Sequence, residues 1–587
     1  MTRSEDKNNF IFVAVTWAIF SLLYFRAQIW MPGQIKRMLL LLLIMLIMGA
    51  IQLVIVNYFK PMKRAITSIR HFFLNGYICF KRKPKVYLLF ISCVAFTDAL
   101  VAVFVKLIAS TTHIDAYILT VWTVAVVDVS IFTFIFRKNV GLHPERMFFI
   151  VSMITGIMLI SILPPFLNCS WDEETHYYNT LKLVTLGSGQ TSSADEMLVE
   201  NQPFNTINRV GYTRETYNSF KNKVDKEYNT GRTIPWRHSM GVSALSYIPE
   251  TIGVVIGRGL HMPFFWVYRL GKFFNLLFYA TIISFAISKL RYGKMIAALV
   301  GLIPTSLYEA SAYSYDGWMI ALLILGFSYL ISIFQNKDIS KASNADLAIA
   351  LMALTFGFTT KAVYIFLILP LLFLPKDVFA TSTQRKKFLL SIAICSVAIL
   401  VTFVIPMLLG TNSGDQRGVG NINPSAQLAF VMSHPIQYSK ILFNFLKRYL
   451  AFETANGYLV DFAYVGIGKC WVVLLMILGI VTFVDHSDVR QHKGELRFAT
   501  ILSLLIMIMV IPSALYLDFT SVGANVIQGV QWRYLLPLVF PTLYFVAPDG
   551  FGSNNRNDNT FVILSQMAFF IVIMGNILLL YVRSFIN

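Results

Sequence analysis

Charge is what this chain has least of. Only 13% of its 587 residues are Asp, Glu, Lys or Arg, whereas 56% are hydrophobic. A soluble domain carries about a quarter charged residues. The composition therefore excludes a soluble enzyme, a disordered chain and a nucleic-acid-binding domain. Cysteine is scarce too. Cys79, Cys93, Cys169, Cys395 and Cys470 never stand at C-x-x-C spacing, so neither a zinc site nor a disulfide framework is indicated. Nucleotide-handling motifs are missing: there is no G-x-x-x-x-G-K-[ST] and no G-x-G-x-x-G after a strand. No D-x-D, H-E-x-x-H or G-x-S-x-G occurs either. Any chemistry must draw its energy from something other than a nucleotide, and a membrane-borne activated donor meets that need.

What is present is apolar sequence in long runs. Candidate spans lie near 10–30, 38–59, 86–109, 113–136, 145–165, 264–287, 294–310, 317–334, 346–360, 363–375, 388–409, 470–485, 498–516, 533–547 and 560–582. A span needs about 20 mostly apolar residues, so several of these about fifteen segments are short. The stretch 346–375 reads as one bent element or two half-spans. The expected fold class is an all-α polytopic membrane protein, with an N-terminal module of about four spans over 1–140 and a core over 141–587. The first run has no small-residue cleavage site behind it and reads as a retained anchor.

Lys and Arg exceed Asp and Glu by 49 − 30 = 19. In a membrane protein such a surplus marks cytoplasmic loops. The 60–85 loop has eight cations and no acid, and 137–146, 288–294 and 376–387 have three, three and four cations. The loops near 110–116, 310–316 and 517–532 have none. This alternation puts the N-terminus inside and 166–240 outside, provided that 241–258 lies on or dips into the membrane without crossing. Arg26, Lys36 and Arg37 run against the rule.

Two outer loops exceed what a connector needs, and long loops usually carry function. They are 166–240, with nine acids, and about 411–469. The second contains Arg417 in a flexible run, then a basic amphipathic stretch, His434 to Tyr449, suited to a membrane interface. The first opens with Pro164-Pro165 and then Trp171-Asp172-Glu173-Glu174-Thr175-His176, so its acids sit at the membrane–water boundary. On a helix, Asp172 and His176 share a face. A carboxylate there could act as general base on a hydroxyl, ligate a divalent cation, or simply cap a helix. Ser314-Tyr315-Asp316 ends one hydrophobic loop with a lone acid, functional or an N-cap. Gln531-Trp532-Arg533-Tyr534 offers an arginine suited to phosphate or to anchoring at the interface. Lys361 interrupts two apolar runs and could neutralise a phosphate or snorkel.

Four pieces in this order resemble the bacterial polytopic family catalogued as domain of unknown function 2142: Asp172-Glu173-x-x-His176, Ser314-Tyr315-Asp316, Thr360-Lys361-x-x-Tyr364, and Gln528-Gly-x-x-Trp532-Arg533-Tyr534-Leu-Leu-Pro537. They cover about 145–587. The sequence departs from that pattern at Trp171, Glu174 and Trp532. The family is similar to the GT-C membrane glycosyltransferases. That resemblance implies a GT-C-like helix bundle with interfacial helices in its outer loops, in a bacterial cell membrane, with the site on the extracytoplasmic face. It implies an inverting transfer of sugar from a polyprenyl-phosphate donor to a cell-surface glycopolymer such as teichoic acid or polysaccharide. Asp172 and Glu173 are then the catalytic candidates. His176, Tyr315, Asp316, Lys361, Arg417, Gln531 and Arg533 are the candidates for binding substrate or donor. Replacing Arg533 is expected to abolish transfer and leave the fold standing. The expected partners are the lipid bilayer, donor and acceptor, and no nucleic acid; the acids permit a divalent cation, but no ligand set is spaced for one. The alternatives are a transporter or flippase of a lipid-linked saccharide and a non-catalytic component of a polysaccharide-assembly complex.

Overall fold

The computed structural model describes residues 3–28, 116–135, 143–163, 170–185, 190–200, 213–235, 242–335, 341–408, 420–485, 493–546 and 559–584, with isolated positions between 43 and 103. The chain is an all-α polytopic membrane protein. Helices α1 (Arg3–Gln28), α2 (Ala116–Ile135) and α3 (Pro144–Ile162) precede the first large loop. That loop holds α4 (Glu173–Thr185), α5 (Ser193–Glu200), α6 (Arg214–Asn229) and two short antiparallel strands, β1 (Gln190–Ser192) and β2 (Thr233–Pro235), with Thr191 opposite Ile234. The bundle continues through α7 (Ile248–Gly259), α8 (Phe264–Lys289), α9 (Lys294–Gly301), α10 (Pro304–Ala310), α11 (Tyr315–Gln335), α12 (Asn344–Phe358), α13 (Leu369–Leu372) and α14 (Ser382–Leu408). The second loop carries α15 (Pro424–Ser433), α16 (Pro435–Tyr449) and α17 (Ala455–Leu459). Then follow α18 (Trp471–Val484), α19 (Lys493–Asp518), α20 (Leu536–Val546) and α21 (Asn559–Ser584).

Among the described residues, five helices are long and apolar enough to cross a membrane: Pro144–Ile162, Phe264–Lys289, Tyr315–Gln335, Gly494–Asp518 and Phe561–Ser584. Other apolar segments are shorter or broken. Pro304 has no N–H to continue a helix, and 294–310 divides there into α9 and α10. The 346–375 stretch is two pieces: α12 stops at Phe358, and the chain resumes as a 3₁₀ helix over Ala362–Ile368 with Lys361 at the break. Helix α7 has 12 residues, about 18 Å, too short for a hydrocarbon core of about 30 Å. The segments 38–59 and 86–109 fall almost wholly outside the described residues.

Helix α11 lies at the centre, packed on α8 and α12. Its Ile320, Leu323, Phe327 and Leu330 are fully buried. Helix α14 does the opposite. Leu390, Ile394, Val397 and Val401 recur at helical spacing and are exposed, an apolar stripe suited to lipid. The two ends of α11 differ in chemistry. Asp316 and Gln335 mark them, about 28 Å apart. Gln335 donates to the Tyr292 carbonyl (2.8 Å) and to Tyr544 Oη (2.9 Å) and accepts from the Arg291 N–H (2.7 Å). Beside it, Asp485 caps α9 by accepting from the N–H groups of Met295 (2.6 Å) and Gly293 (3.2 Å). Lys289, Arg291 and Lys294 gather at this end. At the Asp316 end the first loop is locked down. Asp195 is buried, accepts from Tyr177 Oη at 2.6 Å and pairs with Arg258 of α7. Tyr24 of α1 donates to the carbonyls of Leu183 (2.8 Å) and Val184 (2.9 Å).

Candidate functional site

Arg533 is the hub of the Asp316 end. Its placement starts with aromatic packing. Trp532 stacks on Tyr449 of α16 with ring centroids 4.5 Å apart and planes 12° apart. Tyr449 Oη donates to the Gln531 carbonyl at 2.7 Å, and Arg533 Nε donates to Gln531 Oε1 at 2.6 Å. Tyr364 Oη holds the next residue through the Tyr534 carbonyl at 2.8 Å. The loop that carries α15, α16 and α17 thus aims a guanidinium back into the bundle. A cradle at Gly457 makes room for this. A Cβ there would stand 2.4 Å from the Trp532 ring. Gly457→Ala is expected to destabilise the purified protein by about 1–3 kcal/mol through overpacking, read as a lower thermal midpoint. A variant that melts like wild type would contradict the cradle.

The guanidinium meets three carboxylates. It lies 2.9 Å from Asp316 Oδ2, 3.2 Å from Glu309 Oε2 and 3.6 Å from Asp172 Oδ2. Trp171 covers it, with its ring centroid 4.7 Å away. Arg533, Glu309 and Asp316 have side-chain exposures of 1%, 0% and 2%, whereas Asp172 keeps 25%. Asp172 therefore faces both the buried cluster and the outside. Its backbone is left-handed, with φ 53°, a conformation that costs an ordinary residue about 1–2 kcal/mol and that Asp tolerates better than most. Strained backbone of this kind concentrates at functional sites. Its carbonyl accepts from the His176 N–H at 3.1 Å, which makes it the first residue of the α4 turn.

The adjacent acid has different surroundings. Glu173 is fully buried and pairs with Lys272 at 2.6 Å. It also accepts from the N–H groups of Ser170 (3.2 Å) and Tyr313 (3.3 Å) and from Tyr268 Oη (3.3 Å). Its bonding capacity is taken up within the fold.

The remaining candidates line the other side of Asp316. Lys361 Nζ lies 3.5 Å from Asp316 Oδ1, and 3.9 Å and 4.9 Å from the ring centroids of Tyr534 and Tyr315. The helix break between α12 and the following 3₁₀ turn puts it there. His176 meets Tyr315 edge to face at 4.6 Å and Tyr247 Oη through Nδ1 at 2.8 Å. Burial holds the imidazole pKa down at about 4, reinforced by nearby Arg533, so the ring is neutral at physiological pH. Asp172, His176, Tyr315, Asp316, Lys361, Gln531 and Arg533 thus come together at one end of the bundle. Glu173 stands beside them with its own partner, and Arg417 lies outside the described residues.

Two members escape a reading of the sequence. Glu309 accepts from Ser170 Oγ and Ser314 Oγ, both at 2.7 Å, and from Arg533. Lys272 lies within α8. The available signal is an ionisable residue inside an apolar run, costly unless paired. Among the described residues, no group of three His, Cys, Asp or Glu side chains is arranged to hold a metal ion. What the arrangement provides is an accessible carboxylate, two cations and a neutral imidazole at one end of the bundle.

No curated protein and no solved structure matches the chain. A family model does match, over residues 153–541, the segment that carries Asp172, Glu309, Asp316, Lys361 and Arg533. The chain belongs to the family described as "Predicted membrane protein (DUF2142)".

Proposed function

We propose that this protein is a membrane glycosyltransferase that moves a sugar from a polyprenyl-phosphate carrier to a hydroxyl of a cell-surface glycopolymer. One observation carries the reading. Of the three carboxylates around Arg533, only Asp172 keeps substantial exposure, 25% against 0% and 2%. It can meet an incoming hydroxyl, and positive charge lies on its protein side. In the proposed step, Asp172 takes the acceptor proton as the acceptor oxygen bonds to the anomeric carbon. The bond from that carbon to the carrier phosphate breaks, and its electron pair leaves on the phosphate oxygen. Lys361 and Arg533 offset the charge that grows there. The resemblance to GT-C enzymes supports the same chemistry at a carboxylate in the first outer loop. The basic 288–294 and 376–387 loops adjoin the opposite ends of α8, α11 and α14. That favours an outer-face site by the distribution of positive charge.

The test is the surface polymer of a deletion strain, analysed by mass spectrometry. Loss of one sugar substituent with the backbone intact is the expected result. Loss of the whole polymer with accumulated lipid-linked precursor would instead identify a transporter. An unaltered polymer would oppose both activities.

A further inference from the structure

We infer that Tyr247 and Asn179 fix His176 as its Nε2–H tautomer, and that this N–H joins the Lys361 ammonium as a donor pair for a substrate oxyanion. The oxyanion half rests on the transfer proposed above; the tautomer does not.

The argument begins with hydrogen-bond accounting. Asn179 Nδ2 can only donate, and it lies 3.4 Å from Tyr247 Oη. The tyrosine oxygen therefore receives from Asn179, and its own hydrogen is directed to His176 Nδ1 at 2.8 Å. Nδ1 is then the acceptor and Nε2 carries the proton. The opposite tautomer would leave the Tyr247 hydrogen without an acceptor and Nε2 with a bare lone pair. Each unsatisfied buried group carries the full penalty of losing its water. Among the described residues Nε2 is buried with no hydrogen-bond partner. The chosen tautomer thus leaves one orphan, an N–H donor, where the alternative leaves two.

A second donor has capacity to spare. Lys361 Nζ is buried, and its pairing with Asp316 Oδ1 at 3.5 Å engages one of its three N–H groups. The His176 ring and Lys361 Nζ both pack on Tyr315, 4.6 Å and 4.9 Å from its ring centroid. Arg533 is differently placed. Its Nε and Nη1 already serve Gln531, Glu309 and Asp316, and its Nη2 faces Asp172 at 3.6 Å. An oxyanion entering beside Asp172 would therefore find direct donors on His176 and Lys361, while Arg533 holds the carboxylates and adds its positive charge from behind them. A neutral N–H and an ammonium suit a phosphate oxygen, which only accepts.

Two measurements on the purified full-length protein test this. The first is nitrogen-15 NMR of histidine-labelled protein in membranes, with the His176 signals identified by their loss in His176→Gln. Wild type should show protonated Nε2 and unprotonated Nδ1 at neutral pH, and Tyr247→Phe should mix or reverse them. The second is binding of a short-chain polyprenyl monophosphate against the matching alcohol. Tyr247→Phe should weaken phosphate binding about fivefold to tenfold, as loss of one hydrogen bond does. In His176→Gln the introduced amide supplies a donor without help from Tyr247, so Tyr247→Phe should add no loss in that background. Wild type protonated on Nδ1, or an equal loss in both backgrounds, overturns the inference alone. Wild type that binds phosphate and alcohol alike overturns the oxyanion assignment together with the transferase reading. Inorganic phosphate that competes as well as the lipid supports the donor pair and names a free anion as its ligand.

Discussion

Arg533→Ala is expected to cost the protein about 3–5 kcal/mol of stability, the cost of removing one partner from a buried ion pair. The physical reason is the pair of carboxylates left behind. Glu309 and Asp316 are essentially inaccessible and lie 3.2 Å and 2.9 Å from the guanidinium. Without it, Asp316 keeps only Lys361 at 3.5 Å and buried Glu309 loses its cation, so Glu309 must be neutralised or exposed. The sequence alone suggests a phosphate ligand whose loss would spare the fold; the caged geometry makes Arg533 a structural cation first. Thermal unfolding of the detergent-purified variant measures the loss. Combining Arg533→Ala with Glu309→Gln should return much of it, because the neutral amide needs no counter-ion and Asp316 keeps Lys361 at 3.5 Å. A single variant as stable as wild type would show that the cage is not under electrostatic load.

Asp172→Asn is expected to reduce sugar transfer by about 10²–10⁴, the usual contribution of a general base. Its thermal midpoint should stay close to that of wild type. The isosteric amide keeps the Asp172 carbonyl that starts α4, and it gives up a 3.6 Å, partly exposed ion pair, which is worth little to stability. Glu173→Gln should show the opposite pattern. That carboxylate is fully buried against Lys272, so its loss should strand the ammonium and lower the midpoint. Any fall in transfer should then track the loss of folded protein. Assays at equal amounts of folded protein separate the two. Full transfer by Asp172→Asn would remove the base; a Glu173→Gln variant that is stable yet inactive would move the role to Glu173.

Much of the site was legible because membrane sequences make charge conspicuous. With 13% charged residues, an acid or a cation flanked by apolar runs stands out, and Asp172, Asp316, Lys361 and Arg533 do. Arg533 and Lys361 proved to share one carboxylate, Asp316. Glu309 does not stand out because it lies inside an apolar stretch that reads as a span. The break at Pro304 turns that stretch into two short helices and brings Glu309 to the cluster. Lys272 is hidden for a similar reason: α8 is apolar enough to mask one cation. Tyr247 and Asn179 carry no sequence signal, since a tyrosine and an asparagine become a relay only when α4 packs on the turn before α7.

The sequence by itself determined the class of the molecule. Its apolar runs require helices that satisfy their own backbone groups in lipid, and its charges divide the loops into basic and acidic sets. Only the tertiary structure decided which charges are partners. Sequence spacing cannot show that residues 172, 309, 316 and 533 converge within a few ångströms, because their neighbourhood is made by different helix ends. Nor could it separate Asp172 from Glu173. They are adjacent in the chain, but the left-handed turn at Asp172 and the start of α4 send one carboxylate to the accessible edge and the other into the core. The two acids have the same intrinsic chemistry; exposure and partners set the difference between them.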